Sequence, residues 1–131
     1  MNSFIDDLLP KAINVLSRET NIKEGNSIKG IYESYLSQFG PMASQIGMRS
    51  TIAVYFNKDT STNKGDRKII LKLIFKLIHN NENSDYKIWT EKILKDEIEI
   101  NTELENKILD ASVALKRAIR TFELTDKSQN D

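Results

Sequence analysis

Eight of the ten residues from Ile69 to Ile78 are aliphatic or aromatic, and the two exceptions, Lys72 and Lys76, stand four apart. Lys68 precedes them at the same interval, and His79 follows. So dense a run of β-branched residues also reads as a buried strand. The i, i+4, i+8 lysine spacing argues for a helix, which gathers the cations on one edge and leaves the rest of its surface apolar. Such a helix is stable in water only when other elements cover it on nearly every side. The rest of the chain therefore has to supply its surroundings.

Periodicity supplies them as helices. Ser3 to about Arg18 carries Leu9, Ile13 and Leu16 beside Leu8, Ala12 and Val15, with Asp6 and Asp7 near its start. Pro10 either kinks this helix or marks its true beginning. The polar stretch Glu19–Asn26 ends it. Ser27 is the expected cap of a second helix whose face is Ile28, Ile31, Tyr32, Tyr35, Leu36 and Phe39. Gly40-Pro41 is expected to break it and open a third helix to about Phe56. Gly47 lies inside that third helix, either where another backbone approaches closely or at a break between two short helices. The polar segment Asn57–Gly65 is the strongest loop signal, after which Asp66 can cap the central helix. Ser84 is the expected cap of a helix burying Tyr86, Trp89 and Ile93. Thr102 and Glu105 match a capping box for a last helix to about Leu124. The fold class is thus all-α: one compact bundle of about six helices with short loops over residues 1–124, and a disordered tail over 125–131. Tyr35, Leu36, Ile52, Leu73, Ile74, Leu77, Trp89, Leu115 and Ile119 are the expected core.

Composition narrows function more by exclusion than by signal. With 131 residues, 39% of them hydrophobic, the chain has material for one domain. No cysteine is present, which excludes disulfides and thiolate zinc sites. No apolar run approaches the roughly 20 residues of a membrane span, and residues 1–20 lack a signal-peptide pattern. The expected location is cytoplasmic. The single histidine, His79, sits at a helix C-terminus, where the dipole favours a cationic ring. No phosphate-cradling glycine loop, metal-ligand spacing or nucleophile–base set occurs, so neither catalysis, cofactor, bound metal nor small-molecule substrate is expected.

The formal net charge is zero, with 19 basic and 19 acidic residues, but the charge is segregated. Between Arg49 and His79, seven cations (Arg49, Lys58, Lys64, Arg67, Lys68, Lys72, Lys76) meet two aspartates; between Ile93 and Leu115, six carboxylates meet two lysines. An edge of lysines attracts phosphates without regard to base sequence. The same edge can equally be the solvated face of an otherwise buried helix. Lys116, Arg117 and Arg120 form a second, shorter basic patch.

The stretch from Tyr35 to Phe56, with Pro41-Met42, Ile46-Gly47-Met48 and the run Ile52-Ala53-Val54-Tyr55-Phe56, resembles the small-subunit family of the type III-B CRISPR effector, the Cmr complex. Ala114 to Ala118 is similar to that family's last helix. The chain departs from the pattern at Gly40, where leucine is usual before the proline, at Gln45 and Ile46, and at Met48, which stands for leucine. The resemblance implies a non-catalytic helical subunit whose copies stack along the effector's minor filament. Its implied partners are further copies of itself, the other subunits, and the backbone of the guide RNA–target RNA duplex. The RNA-facing residues it points to are Arg49, Lys58, Lys64, Arg67, Lys68, Lys72 and Lys76, with Arg117 and Arg120. A small subunit of a sister type III complex, or a helical protein–protein adaptor without nucleic acid, are the competing readings.

Overall fold

The computed structural model describes residues 3–57, 65–79 and 85–125. Six α-helices account for most of them: α1 (Ser3–Arg18), α2 (Gly30–Ile46), α3 (Met48–Phe56), α4 (Lys68–His79), α5 (Tyr86–Leu94) and α6 (Thr102–Ile119). The expected all-α bundle is what the chain forms.

The central helix is α4. Ile70, Leu71, Leu73, Ile74, Phe75 and Leu77 are all buried, and α1, α2, α3, α5 and α6 each pack against it. Asp66 starts it as expected, its Oδ1 accepting the Lys68 N–H at 3.0 Å. Around α4, α6 closes the bundle. Its inward stripe of Ile108, Ala111, Ala114, Leu115, Ala118 and Ile119 lies against α1, α2 and α4 at once. Alanine and Ser112 on that stripe keep side chains short where three helices meet.

Several boundaries differ from expectation. Ser27 does not cap α2. Lys23–Glu24 (β1) and Ser27–Ile28 (β2) instead form a two-stranded antiparallel hairpin across Gly25, whose φ of +64° suits glycine. The polar stretch before it contains a single 3-10 turn, Thr20–Ile22, which buries Ile22. Pro10 lies inside α1 and so does not mark its start. Pro41 likewise lies inside α2, which runs on to Ile46. The break falls at Gly47, with φ +94° and ψ 157°, a conformation that side chains rarely adopt. A Cβ built on Gly47 meets nothing within 4 Å, so the glycine serves the turn and not a tight helix contact.

The last helix is capped by Asn101, whose Oδ1 accepts the Leu104 N–H at 2.8 Å, one residue ahead of the expected Thr102. Asp85 caps α5, accepting the Lys87 N–H at 2.9 Å, and Ser84 lies outside the described residues. Beyond α6, Leu124 bridges Ile28 in parallel. Ile28 donates to the Glu123 carbonyl and the Thr125 N–H donates to Ile28, both at 2.9 Å, so Thr125 is tied down where fraying was expected. Of the nine expected core residues, eight are buried. Trp89 is only half-buried, because α5 turns Thr90 inward beside the expected Ile93.

Candidate nucleic-acid interface

The lysine edge of α4 faces a carboxylate. Glu19 closes the C-terminal end of α1 and is only 3% exposed. Lys72 Nζ lies 3.0 Å and Lys76 Nζ 4.0 Å from Glu19 Oε1. Glu19 Oε2 accepts from Asn21 Nδ2 at 2.8 Å and from Lys72 Nζ at 3.3 Å. A carboxylate removed from water needs such cations and donors, since burial without them costs several kcal/mol (about 3–5 when one partner is removed). Oε1 has charge contacts but no well-directed hydrogen bond, so the pairing to Lys76 is electrostatic. Lys68 turns back on Asp66 at 3.6 Å. The three lysine side chains keep only 20–29% of their surface exposed.

Arg67 is held by aromatic rings. Its guanidinium carbon lies 4.5 Å from the Tyr35 ring centroid and 5.9 Å from that of Tyr55, a cation–π contact with each. Tyr55 is fully buried and donates its hydroxyl to the Tyr35 carbonyl at 2.6 Å. Burial pushes its pKa up to about 12, against the opposing pull of Arg67, so the phenol stays a donor.

The remaining arginines lie further into solvent. Arg49 donates Nε to the Ile93 carbonyl at 3.1 Å and pairs through Nη2 with Asp96 at 3.0 Å, tying α3 to the end of α5 with its side chain 44% exposed. Arg120 grips Glu33 on α2 through Nε and Nη2, each at 3.0 Å. Arg117 lies 4.0 Å from Asp6. The last two side chains are 57% and 54% exposed. Lys58 and Lys64 lie outside the described residues. The seven described cations therefore fall into three groups with separate partners: Arg67 with the α4 lysines, Arg49 beside α5, and the α6 pair.

An open groove of about 460 Å³ lies beside Lys72, lined also by Asn21, Lys29, Tyr32, Tyr86 and Lys87. Lys29 precedes α2, and Lys87 sits in the first turn of α5. Among the described residues neither has a carboxylate within salt-bridge distance. Burial raises the pKa of both Tyr32 and Tyr86, with nearby carboxylates adding to it, so both phenols remain protonated. Glu19, Lys29 and Lys87 were not singled out in the sequence. Each is isolated there, and only the fold brings them to one place.

His79 also differs from expectation. Its ring stacks on Phe75, at 6.0 Å, and lies tilted against Trp89, at 4.2 Å, and Nε2 is buried with no hydrogen-bond partner among the described residues. Desolvation, then Lys107, lowers its pKa, which outweighs the helix dipole and favours the neutral ring.

A family model described as CRISPR-associated protein (Cas_Cmr5) matches residues 11–122. No curated protein and no solved structure gives a significant match. Among the described residues, no helix is long and apolar enough to cross a membrane.

Proposed function

Because this chain belongs to the Cas_Cmr5 family of CRISPR-associated proteins, the type III-B Cmr small-subunit family, we propose that it is a non-catalytic structural subunit of an RNA-guided effector. In this reading copies of the chain stack beside the guide–target duplex in the cytoplasm, serve antiviral defence, and touch the RNA backbone without reading bases. The observation that carries it is the match over residues 11–122, which spans α2 to α6 and the second half of α1. A subunit that serves any guide must bind phosphate and ignore sequence, which basic side chains do.

Exposure ranks the proposed RNA-binding residues. Arg49, Arg117 and Arg120 combine an internal partner with side chains about half exposed, and a planar fork can serve a carboxylate and a phosphate together. Lys58 and Lys64 stand with them on sequence grounds. Lys68, Lys72, Lys76 and Arg67 rank lower, since each is engaged inside the bundle. That internal engagement is also what favours the second reading, a helical protein–protein adaptor without nucleic-acid binding.

The test is target-RNA affinity across a salt series in the reconstituted effector carrying Arg49→Ala, Arg117→Ala and Arg120→Ala together. Weaker binding of every RNA sequence alike is expected, with the log–log salt slope reduced by about 0.7–0.9 for each phosphate no longer neutralised. Unchanged affinity and slope with assembly intact would favour the adaptor.

A further inference from the structure

We propose that the groove between the α2 and α5 N-terminal ends is a phosphodiester-binding subsite, with Lys29 and Lys87 as its cations. The inference rests on the RNA-contact reading above and moves the contact from the α4 edge, where the sequence suggests it, to residues the sequence does not single out.

The charge balance of the groove carries it. Among the described residues, its lining brings three ammonium groups (Lys29, Lys72 and Lys87) and one carboxylate (Asp66). Glu19 is taken up by Lys72 and Lys76, and Asp66 by Lys68. Asp85 accepts the Lys87 N–H as the cap of α5. Of the three lining ammonium groups Lys72 is thus engaged, and Lys29 and Lys87 are left with no carboxylate partner among the described residues.

Concavity and hydrogen-bonding capacity fit the same ligand. The groove is open, which suits a chain passing through and not an enclosed small molecule. Its lining presents donors beside the ammoniums. Tyr86 is half-buried with a phenol kept protonated, and Asn21, held by its Nδ2 on Glu19, is exposed. A phosphodiester carries one negative charge and acceptor oxygens only, so it matches two ammoniums flanked by neutral donors. Little reads base identity here, as binding of any guide requires.

The variant is Lys29→Ala with Lys87→Ala, set beside the triple arginine variant, in the reconstituted effector with a mixed-sequence target RNA across salt. Neither lysine makes an internal salt bridge among the described residues, so the fold is expected to survive, and circular dichroism of the full chain verifies this. Several-fold weaker binding at low salt, a shallower salt slope and equal weakening for unrelated RNA sequences are expected. If the arginine variant weakens binding and the double lysine variant does not, the groove proposal is overturned and the RNA reading stands. If neither variant changes affinity or slope in an assembled complex, both are overturned. If the double lysine variant fails to enter the complex even without RNA, the groove holds a carboxylate of a protein partner, and the proposal is again overturned.

Discussion

The lysines of α4 and the arginines around the bundle carry the same charge and make the same kind of contact, yet the fold uses them differently. Lys72 and Lys76 reach inward to a carboxylate that water hardly touches. Arg117 reaches across the surface to an aspartate as exposed as itself, and Arg120 stands between, exposed but gripping the buried Glu33. The difference lies in the partner. A buried carboxylate makes its cation part of the fold, because the anion left behind has no solvent to turn to. An exposed one leaves the cation free to exchange its partner for another anion at little cost. Basic residues near one another in sequence thus divide into those that hold the chain together and those available to a ligand.

The largest expected effect tests whether α4 is the anchor that gives its lysines this role. Ile74→Ala should lower unfolding free energy by about 2–5 kcal/mol, the range for deleting a fully buried aliphatic side chain. Urea denaturation reads it, and a drop under about 1 kcal/mol would mean that the helix is not central.

Next comes Glu19→Gln, which removes the charge and keeps the shape. A destabilisation of about 2–3 kcal/mol is expected, below the usual range for a broken buried pair because the stranded lysines retain some access to water. A change within about 0.5 kcal/mol would place the α4 lysines with the surface arginines and erase the distinction.

The smallest effect sharpens the other side. Arg117→Ala should shift stability by less than about 0.5 kcal/mol, whereas Arg120→Ala, which strips a hydrogen bond and an ion pair from Glu33, should cost about 1 kcal/mol. Thermal melts of the two variants side by side give the ordering, and equal shifts would show that the depth of the partner carboxylate does not matter.

Helical content and the place of α4 were legible because they depend on local spacing. The Ile69–Ile78 run with its lysine stripe demands a surrounded helix, and the structure surrounds it. The boundaries were legible only where one side chain decides them, as Asp66 does. Ser27 has the chemistry of a cap, but Ile28 is drawn into pairing with Leu124, a partner 96 positions away that no local pattern announces. Pro41 has the chemistry of a helix start, yet α2 passes through it and stops at Gly47. The candidate site was less legible still. Nothing near Lys72 in sequence points to Glu19, 53 residues earlier, and Lys29 and Lys87 share a groove only once α2 and α5 are placed.

The bridge that joins Ile28 to Leu124, with Thr125 Oγ1 accepting the Gly30 N–H at 3.3 Å, has a consequence for cooperativity. It links segments nearly a hundred residues apart, and α6, just before it, covers α1, α2 and α4 together. Closing so long a loop carries an entropic penalty that grows only slowly with length, but no part of the bundle escapes it. Without α6, those three helices would each lose part of the cover over their inward faces. Loss of α6 would therefore thin the cover on three helices together, and the chain is expected to unfold in one cooperative transition, with helical signal and tertiary packing lost at the same denaturant concentration.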